Sequence, residues 1–377
     1  MTIAAMLLLM QAVTASAAGE REVVVIGVSP DRYKAALADC IARGCPPKEE
    51  IARSLNYAES QLLAGDYAGS RTTLLKARGR NRRYAAMLPV DVSDLHHANA
   101  RLANLNGWVD SGRIGMFDVV DALKAGLPDD NWRVMAARLL IGDEFAKDGR
   151  PYAALSHYRW VEKLSQKANM PLVVGMAKFR RAALLATIAS IDQGARAQAR
   201  RAADEILLST DPDWAVFRNG VRLVPSYLAP KRERPGLIDQ AIASLEPQAA
   251  EFVQLVYQPP IDMASVSEDA GAGEQVTQWA DVAFRITPDG RVADVEIVRR
   301  SPRLPDHWLA PALVSLRGRR YAPLRLTGDK AGIPRLERYS VVSDVIPIKG
   351  THIPVRASTR RIDIIDISTN PAVAAKR

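Results

Sequence analysis

Between Lys48 and Pro247 apolar side chains recur every three or four positions and almost nothing alternates, a pattern that predicts amphipathic helices throughout. An earlier run, Tyr33, Ala36, Leu37, Cys40 and Ile41, has the same spacing, and Gly44 followed by Pro46-Pro47 predicts where that helix stops. After residue 280 the period changes. Val282, Phe284 and Ile286 alternate with Ala283, Arg285 and Thr287 as in a half-buried strand, Pro288-Asp289-Gly290 supplies a turn, and Val295 and Ile297 belong to a returning strand. Trp308, Leu309, Ala312, Leu313 and Leu316 form one helical stripe, and residues 339–346 return to strand composition. Pro259-Pro260 and the breaker-rich stretch Ser265 to Thr277 lack an apolar period. The fold class is therefore α+β and multidomain. Residues 19–250 are helical, 251–279 a linker, 280–347 a small α+β unit in the order strand, hairpin, strand, helix, strand, and 348–377 a basic tail in which Arg361 to Ile367 reads as a short strand.

Within the helical part, Gly65, Gly107, Gly149 and Gly194 are spaced by 42, 42 and 45 residues. Seven residues before each stands a small side chain (Ala58, Ala100, Gly142, Thr187), and five after stands another (Ser70, Gly112, Ala154, Ala199). A helix, a tight glycine turn and an antiparallel helix need small residues where the two backbones come closest, so the spacing predicts helical hairpins. Ala58, Gly65, Asp66, Tyr67, Ser70, Leu74 and Ala77 resemble the tetratricopeptide repeat, and Gly142, Phe145, Gly149, Ala154 and Tyr158 give a second copy. The period is longer than that family's usual one and the copy around Gly107 is poor, which leaves a non-repetitive helical bundle as the alternative.

Residues 1–18 contain no charged side chain, carry an apolar run from Ile3 to Met10, and end in Ala15-Ser16-Ala17. The run is shorter than a membrane span and the small residues give a cleavage pattern, so a secretory signal is expected, with the mature chain starting near Ala18 and no transmembrane helix after cleavage; the alternative is a leader retained as a membrane anchor. Export to an oxidising compartment, the periplasm, makes Cys40 and Cys45 a disulfide clasping a helix end.

The stretch Val282-x-Phe284-x-Ile286-x-x-Asp289-Gly290-x-Val292-x-Asp294-Val295-x-Ile297-Val298 resembles the opening hairpin of the TonB C-terminal domain. Tyr321-Ala322-Pro323 after the helical stripe, and Arg335 to Tyr339 where the last strand begins, fit that family as well. The resemblance implies a small domain that, in energy transducers, meets outer-membrane transporters, with strand pairing as one means of contact. The chain departs from a transducer in its cleavable-looking leader and its compact helical region.

Charge is the last feature to change the picture. The net charge of +9 is concentrated after residue 280, where 18 Lys and Arg stand against 10 Asp and Glu. Arg317, Arg319, Arg320 and Tyr321, with Arg338 and Tyr339, are the candidate residues for an anionic partner such as an acidic envelope component; export argues against nucleic acid. No hydrolase elbow, zinc-protease, phosphate-loop or dinucleotide motif is present, and His96-His97 point about 100° apart on a helix, so neither catalytic residues, a metal site nor a cofactor is expected. These features predict a non-catalytic, periplasmic adaptor that binds envelope proteins. Alternatives are a TonB-like component of outer-membrane transport and an envelope hydrolase with a dispersed site.

Overall fold

The structure, a computed structural model, describes residues 29–230, 232–250, 253–263, 277–302, 304–326, 331–347 and 354–368. The expected secretory signal at 1–18 lies outside the described residues. No helix among them is long and apolar enough to cross a membrane.

The chain is mostly helical with a smaller strand-rich C-terminal region. It opens with α1 (Pro30–Ala42), α2 (Pro47–Leu63), α3 (Tyr67–Asn81), α4 (Pro89–Leu105), α5 (Val109–Lys124), α6 (Trp132–Lys147), α7 (Pro151–Lys167), α8 (Pro171–Ala189) and α9 (Arg196–Leu207). Several of these start on proline, whose fixed φ and missing N–H suit the first helical position. The predicted hairpins are α2–α3, α4–α5, α6–α7 and α8–α9. The first three turn in the same way, with Gly65, Gly107 and Gly149 at φ +87°, +82° and +72°. At the first of them Asp66 N donates to Gln61 O at 2.8 Å and Gly65 N to Leu62 O at 2.9 Å. That pair of bonds satisfies the last helical carbonyls and needs a residue that tolerates positive φ. The Gly107 hairpin, whose sequence match was poorest, has the same bonds: Trp108 N to Ala103 O at 2.8 Å and Gly107 N to Asn104 O at 2.9 Å. Gly194 differs. It lies in a short 3₁₀ turn, where Asp192 accepts its N–H at 2.8 Å.

Small residues sit where the hairpin helices meet. Ser70 Oγ donates to Ala58 O at 2.6 Å, and a Cβ on Gly142 would lie 2.5 Å from the Tyr158 ring. Gly44 turns at φ +64° at the end of α1, and Cys40 and Cys45 are disulfide-bonded across that turn. Closing so short a loop removes little chain entropy. Reduction is therefore expected to lower the stability of the whole chain by no more than about 2 kcal/mol, read as a small shift in the urea midpoint; loss of folding on reduction would contradict this.

After α9 come α10 (Ala215–Val221), α11 (Val224–Leu228) and α12 (Arg234–Ala243), then the short strands β1 (Gln248–Ala249) and β2 (Leu255–Tyr257). The C-terminal region contains β3 (Gln278–Ile286), β4 (Val292–Arg300), α13 (Asp306–Arg317), β5 (Arg320–Tyr321), β6 (Leu324–Arg325), β7 (Ile333–Pro347) and β8 (Pro354–Asp366). β3, β4, β7 and β8 form one antiparallel sheet in the order β4-β3-β7-β8. The strand read in the basic tail is part of β8, which is longer than expected and covers the edge of β7.

Two expectations are corrected. Val253 to Tyr257, placed in the linker, are packed. β2 pairs with β5, Gln254 Nε2 donates to Val216 O at 2.7 Å, and Val253, Leu255 and Val256 are buried. The multidomain division does not extend to separate cores. Leu139, Tyr158, Ala183 and Val221 of the helices belong to the same apolar cluster as Leu255, Val282, Phe284, Trp308, Leu316 and Tyr339. The two central strands are covered on both faces: in β7 residues 336–342 are buried without a break, and in β3 Ala280, Asp281 and Val282 are. α13 covers one with Trp308, Leu309, Ala312 and Leu316, and the first two helical hairpins meet the other through Trp279 and Ile365.

Candidate functional site

The sequence placed Arg338 on a surface for partners; the structure buries it at the centre of the helix–sheet junction. Arg338 and Asp281 are both 0% exposed and stand opposite each other on β7 and β3. Arg338 Nε meets Asp281 Oδ1 at 2.6 Å and Nη2 meets Oδ2 at 3.0 Å. The other edge of the same guanidinium reaches across to the end of α2, where Nη1 donates to Leu62 O and Nη2 to Leu63 O, the latter at 2.8 Å. Arg299 on β4 adds a second cation at 2.6 Å from Asp281, and the Trp279 ring lies 3.9 Å from the Arg338 guanidinium. Burial pulls the Arg338 pKa down, but its bonds to Asp281 and the nearby Tyr67 leave it raised overall, so the group stays charged.

The next hairpin end is capped in the same manner. Asn104 O accepts from Arg361 at 2.6 Å, Leu105 O from Thr277 at 2.8 Å, Asn106 O from Arg356 at 3.2 Å, and Gly107 O from the Val345 amide at 2.7 Å. Helix C-termini present unsatisfied carbonyls and the negative end of the macrodipole. This accounts for part of the basic C-terminal charge: Arg338, Arg356 and Arg361 are directed inward at two helix ends.

Arg319, Tyr321 and Tyr339 are interior too. Arg319, 2% exposed, donates to both oxygens of Glu337 at 2.7 and 2.8 Å, and Tyr339 OH donates to Glu337 at 2.8 Å. Burial raises the Tyr321 phenol to about 12, against the pull of Arg319, and carries Tyr339 well above its ordinary value, helped by the Glu337 charge. Arg317 is exposed, and Arg320 is half-buried with its guanidinium on the Gly318 and Arg319 carbonyls. The six residues therefore do not share a surface. A guanidinium already satisfied by a buried carboxylate cannot also present its charge to a partner.

Among other titratable groups, His96 faces Asp118 at 3.6 Å and is held below the usual imidazole value by burial, with Asp118 opposing. Cys40, Cys45 and Glu49 place ligand atoms within 4.8 Å of one another. The two sulfurs are bonded together and Glu49 is held by Arg43 at 2.8 Å, so as it stands this group does not ligate a metal.

The sequence reading missed an aromatic ladder across the second and third hairpins. Phe117 of α5 meets Phe145 of α6 edge-on at 6.2 Å, and Phe145 stacks on His157 of α7 at 5.4 Å. Phe117 is 40% exposed, and Ile114, three residues earlier on α5, is 60% exposed. The residues come from three helices, so no single periodicity brings them together; the available signal was an apolar pair at helical spacing among the polar side chains of α5.

No family profile matches the chain, and no curated protein matches it. Among solved structures, a putative kinesin light chain from Podosopora anserina with nearly identical TPR-like repeats is similar at 13% identity and a TM-score of 0.40, covering 52% of this chain and 95% of that one. A point-substituted form of that protein gives the same identity and score, with 94% of its chain covered. So loose a likeness carries no argument, and the hairpins rest on their own geometry.

Proposed function

We propose that the protein is an exported, non-catalytic adaptor that binds an envelope protein through the outer face of its second and third helical hairpins. The observation that carries this reading is the partly exposed ladder of Phe117, Phe145 and His157 with Ile114 beside it. Apolar side chains left partly exposed where they touch across neighbouring helices suit a protein interface. The Cys40–Cys45 disulfide supports export, since such bonds persist where thiols are oxidised.

The order of β3, β4, α13 and β7 supports the resemblance to the TonB C-terminal domain. A role in transport through strand pairing is the weaker reading. The sheet's outer strands are β8, which covers β7 with a register shift between Ser343 and Val345, and β4, which has register shifts against β3 and a positive-φ residue at Asp294. Irregular edges of this kind resist further strand addition.

Cross-linking in envelope extracts followed by purification tests the adaptor reading. The wild-type chain is expected to capture a defined envelope protein, and the double variant Ile114→Ser, Phe117→Ser to lose it while keeping wild-type helical content. Equal capture by the folded variant would refute the proposed face, and no captured envelope protein at all would refute the adaptor.

A further inference from the structure

A small cavity opens where the start of β3, the N-terminal turn of α13 and the β7–β8 pair converge. Thr277, Gln278, Trp308, Val341, Ser343, Arg356 and Arg360 line it, with about 20 Å³ of free space. That is room for a water or one small ionic group, and too little for a metabolite. Its walls are mainly polar, and Gln278, Trp308, Arg356 and Arg360 bring donors to it, while the Thr277 hydroxyl is spent on Leu105 O and the Ser343 carbonyl on Arg356. The Arg360 guanidinium carbon lies 3.8 Å from the centre of the Trp308 ring, a cation–π contact that holds the group against α13. Arg356 is fixed by donating to Ser343 O at 2.9 Å and Asn106 O at 3.2 Å. The Gln278 carbonyl oxygen accepts from Ser301 at 2.7 Å, which orients its amide NH₂ as a donor. Trp308, 4% exposed, carries an indole N–H with no acceptor among the described residues.

We propose that this cavity is a binding site for a small tetrahedral oxyanion of the phosphate class, either free or as the headgroup of an anionic lipid. Two guanidiniums held by their own neighbours need no reordering to meet an anion, and Arg is suited to phosphate oxygens through paired N–H bonds. The donors come from three separate elements, β3, β8 and α13, which suits a tetrahedral group better than a planar carboxylate. Asp344 acts on Arg356 electrostatically, but burial dominates and lowers the Arg356 pKa, a cost that a bound anion would offset. The site is independent of the adaptor reading, since it uses none of the ladder residues.

Calorimetric titration of the full chain with sodium phosphate, sulfate and acetate tests the proposal, together with sedimentation of phosphatidylcholine vesicles with and without phosphatidylglycerol. Phosphate is expected to bind wild type and Arg317→Gln alike, to be displaced by acetate only at large acetate excess, and to bind Arg360→Gln about tenfold more weakly or worse. Arg317→Gln removes the same charge from an exposed position away from the cavity. Arg356→Gln is expected to behave like Arg360→Gln; because Arg356 also caps Asn106, Arg360→Gln is the deciding variant should Arg356→Gln fail to fold. Sedimentation that requires both phosphatidylglycerol and Arg360, without binding of free phosphate, would assign the site to a lipid headgroup. Absence of both, equal phosphate binding by Arg360→Gln, or acetate binding as tight as phosphate would overturn the proposal.

Discussion

Arg338→Ala is expected to destabilise the chain by about 3–5 kcal/mol, the range for removing one partner of a buried ion pair. Three losses combine. Asp281 is left fully buried with only Arg299, whose side chain is 28% exposed, and the carbonyls of Leu62 and Leu63 lose the donors that cap α2. Trp279 also loses the cation that lies against its ring. Arg317→Ala removes the same charge from an exposed position in the same basic region, and should stay within about 0.5 kcal/mol of wild type. Urea unfolding of the two variants measures the contrast. Similar small effects for both would mean that Arg338 faces solvent and that the sheet does not close on α2.

Much of this fold was legible in the sequence, and the reason is local. Gly65, Gly107 and Gly149 mark turns because the chain needs a left-handed residue there, and that need is met within about six residues of backbone. The alternation of β3, the Asp289-Gly290 turn and the stripe of α13 are likewise short-range patterns. What the sequence did not disclose is long-range. Leu336, Arg338, Ser340 and Val342 alternate with Glu337, Tyr339 and Val341 along β7, but alternation leaves open whether one face of a strand is wet or both are covered. Once the hairpin ends cover the second face, an arginine that looked available for a partner becomes an internal helix cap. Arg319 and Tyr321 were misplaced for a related reason: a basic, aromatic run at a helix end is the composition of an interaction patch and also of a buried carboxylate's binding partners. Glu337, which decides between them, lies 18 residues from Arg319. The aromatic ladder was hidden because its members are drawn from α5, α6 and α7.

The same docking makes the glycine turns unequal, although the sequence repeats them. At Gly149 a Cβ would meet nothing within 4 Å, so Gly149→Ala should cost only the strain of a left-handed alanine, about 1–2 kcal/mol. At Gly107 the backbone strain is similar, with φ +82°, but the added Cβ would lie 2.2 Å from the Ser343 carbonyl oxygen on β7. That oxygen lies where β7 pairs with β8 and also accepts from Arg356, which caps the same hairpin, so relief requires this end of the β7–β8 pair to move away from the hairpin. Gly107→Ala should therefore cost about 2 kcal/mol more, in the range of overpacked cores. Disrupting the junction should also weaken the bond from the Val345 amide to Gly107 O and the neighbouring caps on Asn104 and Asn106.

Paired urea unfolding of Gly107→Ala and Gly149→Ala is the most direct test that the helical hairpins and the C-terminal sheet form one packed body. A cost at Gly107 exceeding that at Gly149 by about 2 kcal/mol, in a single transition that includes the strand signal, is the predicted result. Equal costs at the two glycines, or a strand region that unfolds separately and is indifferent to Gly107→Ala, would contradict it.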